Sequence, residues 1–552
     1  MLGATACAVL LVGILWRSRA GQPAVTAKTF TERRLTANAA ELPVTDAAIS
    51  PDGRYLAFSD ATGLYLRQID TGETHAVTLP AGFNAKPRAW FPNGTHLLAT
   101  WVAGPDATDK EACLNEEIWV MQADGEHPQR LLAGGDDFFG PPAWSPDGKH
   151  IAYVRGKFAF GMPWVRGQLE ILDLATGQTG VLVATPALGS SVAWLPDGRL
   201  VYSLDEPVPN QNDSNLWTLS LDRSGHAQGN ATRLTRGPGE AYLVGGSADG
   251  SKLAFFRRTI EPDVYVTDLE AEGARLTAPR RLTLDERADF PYSWTPDNKS
   301  VIFVSDRNGA YNLFKQGVDD PQPELLVGGH EDTIIARLSP DQESILYLVT
   351  PPGGETPSGR VRLMRVPLAG GPPQTVLEEP GINNQQCARL PSGVCLFSRF
   401  EPGRERFFTF DPEKGLGREI AKAEINSEYP LDFNWSLSPN GQMLALAKRV
   451  TQNRPVIRVL PLGAGLEKII PVPGWAGIGS LDWAADSRSV WATGYTNTGE
   501  KALLNVALTG QVRRMLEEKT QTLGWAIPSP DGKHLALWKA NGSSNVWMVE
   551  NY

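Results

Sequence analysis

The chain has 552 residues, of which 41% are hydrophobic and 21% charged, and it carries a formal net charge of -10. That length exceeds what one ordinary core accommodates, so several domains or one large repeat assembly are expected. The acidic balance excludes a folded body built mainly to grip nucleic acid or an anionic membrane, since phosphate binding needs a basic face; local basic patches stay open.

The first element is the run Met1 to Trp16, nearly all apolar and followed at once by Arg17 and Arg19. As a helix it would cover about 24 Å against a hydrocarbon core of about 30 Å. No charge precedes the run, as a cleaved signal peptide would require, so residues 1–16 are expected to form an N-terminal membrane anchor and 17–29 a linker. Arg17 and Arg19 favour a cytoplasmic C-terminal flank, and basic residues upstream of Met1 in a longer chain would reverse that preference.

From there a turn built like Ser-Pro-Asp-Gly recurs eleven times. The copies begin at Pro51, Pro92, Pro146, Pro196, Ala248, Pro296, Pro340, Pro391, Pro439, Ala485 and Pro530. Their spacing of roughly 41 to 54 residues falls near the blade length of a β-propeller. Pro presets φ at the first central position, the acidic residue suits the second, and Gly supplies the positive φ that closes a hairpin. This assigns Asp52, Gly53, Asp147, Gly148, Asp197, Gly198, Asp531 and Gly532 a structural role in the turn, not one in metal binding. The 55 Gly and 42 Pro are therefore read as turn punctuation. Trp90, Trp144, Trp194, Trp294 and Trp483 each stand two positions before a turn and are expected to pack between blades.

Each turn joins two strand-like runs, and a third follows, as in Leu64-Tyr65-Leu66, Val264-Tyr265-Val266 and Val546-Trp547-Met548. A fourth recurs as Arg34-Leu35-Thr36, Arg233-Leu234-Thr235 and Arg281-Leu282-Thr283. Four strands per module make a propeller blade, and the early Arg34-Leu35-Thr36 copy is expected to complete a late blade and close a ring. The fold class is thus all-β, a β-propeller of eleven four-stranded repeats. Eleven exceeds the usual four to eight blades per ring, so two tandem rings are expected, residues 30–270 and 280–552, with a split at Leu221 to Thr232 as the alternative.

Cys387 and Cys395 lie four residues on either side of Pro391. Paired in a hairpin they would face each other within reach of a disulfide, which persists mainly outside the cytoplasm; two buried apolar thiols are the other reading.

In its outer Arg-Leu-Thr strand, the Trp-Ser-Pro-Asp-Gly-Lys run at Trp144 to Lys149 and the Ile-Ala-Tyr strand that follows, the chain resembles the TolB-like, WD-repeat-like β-propeller proteins of bacteria over about residues 30 to 549. The stretch Arg34 to Leu79, with Ile49-Ser50-Pro51-Asp52-Gly53 and Leu64-Tyr65-Leu66-Arg67-Gln68-Ile69, is similar to the extracytoplasmic half of bacterial membrane kinases and winged-helix regulators. This resemblance implies a sensor or interaction module.

Chemistry finds little footing. A propeller peptidase needs a Ser between glycines at a strand-to-helix elbow, but Gly245-Gly246-Ser247 fails at Asp249 and Gly189-Ser190-Ser191 fails at Ala193. His330-Glu331 begins a zinc-peptidase pattern that Ile334 breaks. Asp106, Asp109, Glu111, Glu116 and Glu117 lack a calcium-loop spacing and read as a solvated acidic loop. No catalytic residue, metal ligand or cofactor is therefore assigned. The expected function is a non-catalytic, membrane-tethered, periplasmic scaffold that binds a protein, peptide or glycan, with the insertions Val102–Glu117, Arg155–Gly167 and Pro351–Gly359 as contact candidates. A sensory part of a kinase or transcription regulator is the alternative, and a propeller hydrolase stands behind both.

Overall fold

The computed structural model describes residues 31–550 with breaks, the longest at 81–85, 103–115, 133–137, 159–164, 351–359, 425–432 and 449–454; residues 1–30 lie outside it. The expected N-terminal helix, Gly148 and most of the three insertions fall outside the described residues. Among the described residues every regular element is a strand, and no helix is long and apolar enough to cross a membrane. Eight sheets have four strands, one has five and one has seven, all paired with antiparallel neighbours. This is the architecture of a β-propeller.

Burial grades outward across a sheet. In the sheet of residues 289–327 the second strand, Ser300–Asn308, carries an unbroken buried run from Val301 to Asp306. The fourth strand, Glu324–Val327, is exposed or half-buried. The second strand has a sheet packed on each face, so it must be apolar on both, whereas the outermost strand meets water. The core is accordingly not one mass but a series of clusters, each wedged between two neighbouring sheets. Ile302, Val304 and Leu313 of one sheet pack on Ala336, Ile345 and Tyr347 of the next. Leu346, Leu348 and Leu363 then pack on Ile382, Phe397 and Phe410 of the one after.

First strands follow one another as a chain of neighbours. Asp289–Trp294 lies on Asp332–Leu338, then come Ile382–Cys387, Phe433–Leu437, Gly477–Trp483 and Thr522–Pro528, and the last packs back on Asp289–Trp294. In the N-terminal half, Leu188–Trp194 lies on Glu240–Gly246, which packs on Asp46–Ile49, which in turn meets Lys86–Trp90.

The turns behave as their residues dictate. Ser50 Oγ donates to Asp52 Oδ1 at 2.6 Å and the Arg54 amide donates to the same oxygen at 3.0 Å. The same pair of bonds recurs on Asp147, Asp249, Asp297 and Asp531. The third turn residue has positive φ at Gly53, Gly94, Gly198, Gly250, Gly393, Gly441 and Gly532, and also where Gly is replaced, at Asn298, Gln342 and Ser487.

One pairing departs from the module reading. Val264-Tyr265-Val266 was expected to pair with the second strand of its own module, and Val546-Trp547-Met548 with its own. Instead Lys252–Glu270 and His534–Glu550 are two long strands that run antiparallel along their whole shared length, from Lys252↔Glu550 to Asp268↔His534. Val264 therefore faces Trp538, and Phe255 faces Trp547. Neither segment turns: Pro262-Asp263 and Asn541-Gly542 both carry turn residues, yet Pro262 and Asp263 pair with Ala540 and Lys539, and Asn541 and Gly542 with Glu261 and Ile260, as straight strand. The early strand Thr31–Arg34 pairs with Trp547–Glu550, completing a late sheet as its sequence suggests.

Candidate binding site

Six sheets contribute residues to one cavity of about 100 Å³ that opens to solvent. It lies where the turns of the C-terminal half converge. The Arg389 amide donates to Pro439 O at 2.9 Å, the Leu390 amide to Pro340 O at 3.4 Å, and the Asp531 amide to Asn298 Oδ1 at 3.0 Å. Neighbouring turns thus clasp one another and hold the rim fixed.

Arg337 reaches the cavity by way of a bulge. The register between Asp332–Leu338 and Ser344–Thr350 shifts between Ile334 and Arg337, and Ile335 sits at φ 53°. A β-branched residue at positive φ is strained and persists only when its surroundings impose it. Here the buried Gln385 amide donates to Ile335 O at 2.8 Å and to Leu346 O at 2.9 Å. The bulge re-aims the following side chains, as bulges do. Arg337 Nη2 then meets Asp482 Oδ2 at 2.8 Å, while its buried Nε makes no hydrogen bond.

Asp482 is fixed by its own backbone. Its Oδ1 accepts from the Trp483 amide at 2.9 Å and lies 3.3 Å from Ser436 Oγ. Arg389, on the turn between Cys387 and Cys395, donates from Nη1 to Pro530 O at 2.8 Å. Burial pulls its guanidinium below the usual arginine range, and only Asp482 opposes that pull. Gln386 is 6% exposed. Its Oε1 accepts from the Leu437 amide at 2.7 Å and lies 3.1 Å from Ser436 Oγ. Tyr292 is pushed up to about 12 by burial, with Arg337 acting the other way.

The described lining holds no His, and the carboxylate and hydroxyls present have structural partners. Cys387 and Cys395 are direct partners in the register, with Cα atoms 4.0 Å apart and joined as a disulfide. Asp52, Asp147, Asp197 and Asp531 sit in their turns, each accepting a backbone amide two residues on. Asp531 alone among them belongs to a turn at this rim.

The sequence reading missed Arg337, Arg389, Asp482 and Gln386. Two of them carried a signal. The position three residues before the turn is Ala48, Ala89, Ala143, Ala193 and Gly245 in the first five modules, but Ser293, Arg337, Ala388, Ser436, Asp482 and Ile527 in the last six. A charge at an otherwise small position marks a lining that differs from the rest.

Known proteins bear out the repeat type. A TolB homologue of Chlorobium chlorochromatii is 34% identical over 115 residues, 20% of this chain and 23% of that protein. The repeats are TolB-like. The Tol-Pal system protein TolB of Francisella tularensis is 21% identical over 239 residues, 42% of this chain and 51% of that protein. The aligned part spans between about a quarter and a half of these curated relatives. No protein-family model matches the chain. Among solved structures, TolB from Acinetobacter baumannii is 16% identical, covers 78% of this chain and 79% of its own, and has a TM-score of 0.18.

Proposed function

We propose that the protein is a non-catalytic propeller scaffold that binds a protein partner outside the cytoplasm. The observation that carries this reading is the likeness to TolB proteins, one of them the Tol-Pal system protein TolB. It is supported by a cavity whose lining supplies the donors Arg337, Arg389 and Gln386 to a bound group. The Cys387–Cys395 disulfide favours the same compartment. We read the sheets as two closed toroids, five blades and six, because first-strand contacts return to their start among residues 289–528 and run from 240–246 to 46–49 in the N-terminal half. The apolar residues 1–16 would serve as a tether.

Affinity capture from a bacterial envelope extract, with the wild type and with chains shortened within 103–115, 159–164 or 351–359, tests this. A specific partner should be retained by the wild type and weakened by at least one deletion, while the melting temperature stays within a few degrees. Turnover in an esterase, peptidase or glycan-lyase screen would overturn it.

A further inference from the structure

The cavity of the C-terminal half has a chemistry that its own residues do not complete. Gln386 is nearly fully buried, and its orientation is fixed because Oε1 receives the Leu437 amide; no hydrogen bond from its NH2 is formed among the described residues. Arg389 has five donors and commits one, to Pro530 O. Arg337 Nη2 is ion-paired with Asp482 Oδ2 at 2.8 Å, and neither that oxygen nor the buried Arg337 Nε makes a hydrogen bond. Three donor-bearing side chains from two adjacent sheets thus line one cavity whose single lining carboxylate, Asp482, is ion-paired with Arg337 and bonded to the Trp483 amide and Ser436.

The charge count points the same way. Two guanidinium groups against one carboxylate leave one positive charge in a partly desolvated space, where an unpaired charge is costly. One monoanion restores neutrality. Guanidinium forks fit a planar, two-oxygen acceptor, and an amide NH2 adds a third donor. We propose that this cavity is a carboxylate-binding site in which Arg389, Arg337 and Gln386 hold the two oxygens of one incoming carboxylate, whether a partner chain's C-terminus or a small organic acid. The inference rests on the reading of the protein as a binding scaffold and assigns that scaffold a ligand chemistry.

Asp482 acts as an internal competitor. It occupies one arm of Arg337 in the empty cavity, so neutralising it should free donors for the ligand. Cys387 and the turn from Arg389 to Gly393 hold the rim, and the Arg389 backbone is tied to Pro439, so the site is largely formed before anything binds.

The test is isothermal titration of the full chain with tri-alanine, tri-alanine C-terminal amide and succinate. Tri-alanine or succinate should bind saturably and the amide should not. Arg389→Gln should weaken binding about tenfold or more, the loss of one charge-assisted contact. Arg389→Lys should fall between the two, and Asp482→Asn should tighten binding. Binding by tri-alanine alone identifies a chain terminus as the source, and binding by succinate alone identifies a small acid. Equal binding of acid and amide, no binding of either acid, or an unchanged constant in Arg389→Gln would overturn the proposal. The acid–amide comparison uses unaltered protein, so it stands even if a variant fails to fold. A partner captured through the insertions without any carboxylate binding would leave the scaffold reading intact and remove this one.

Discussion

Gly441 and Gly198 hold the same turn position under different neighbours, at φ +68° and +90°. A Cβ at Gly198 meets nothing within 4 Å, while one at Gly441 meets Ser392 Oγ and lies 2.9 Å from Ala388 Cβ. Gly198→Ala should therefore cost only the left-handed penalty, about 1 kcal/mol, and Gly441→Ala that penalty plus overpacking, about 3 kcal/mol in total. Urea denaturation of the two variants checks the order. Carboxyl groups divide by environment at the same scale. The turn hydroxyls and amides hold Asp249 down to about 2, whereas burial pushes Asp205 and Glu405 up to about 7 and Asp263 to about 6. A raised carboxyl binds its proton in the folded state first, so its contribution is present below the unfolded value and lost as pH climbs toward 7. A depressed one contributes above the unfolded value and is lost as pH falls toward 2. The melting temperature should accordingly rise from pH 8 to about 5 and fall again below about 4. Glu405→Gln should flatten the upper limb and add about 2 kcal/mol at pH 8.

At the scale of the element, the tryptophan that precedes five of the turns shows how one sheet is fastened to the last. Trp90 Nε1 donates to Ala48 O at 3.0 Å, Trp294 Nε1 to Ile527 O at 2.9 Å, and Trp483 Nε1 to Ser436 O at 2.8 Å. Every acceptor is the carbonyl three residues before the neighbouring turn. Trp194 keeps the position but its Nε1 has no partner. Trp483→Phe and Trp194→Phe remove similar volume, yet only the first strands a buried carbonyl. Trp483→Phe should be the costlier by about 1 to 2 kcal/mol in chemical denaturation. Such inter-blade packing was legible, because a constant aromatic at a constant repeat position has few other uses. The turn residues were equally legible: local φ demands are written in local residues. Arg337 was not, because its place depends on a bulge held by Gln385, a residue of another sheet.

For the molecule as a whole, the decisive feature lay beyond any local pattern. Asn541-Gly542 reads as a hairpin turn, and Pro262 reads as a strand breaker, yet both lie within paired strand. Partners some 280 positions apart, such as Thr259 and Ser543, override them. This arrangement gives the sheet of Glu240–Gly246 and Lys252–Arg258 a third strand from the far C-terminus, flanked by Thr31–Arg34. Val546, Met548 and Val549 of that strand are fully buried and enter two core clusters of the N-terminal half. A fragment of residues 31–270 would keep every N-terminal repeat but lose this strand, and with it the link between Thr31–Arg34 and the rest of the sheet. Such a fragment should unfold without a sharp transition in thermal circular dichroism. Mixing it with a fragment of residues 275–550 should restore a cooperative melt, because each supplies the long strand the other lacks. A 31–270 fragment that melts cooperatively alone, at the temperature of the full chain, would show that the exchanged strands join the two halves without holding either together.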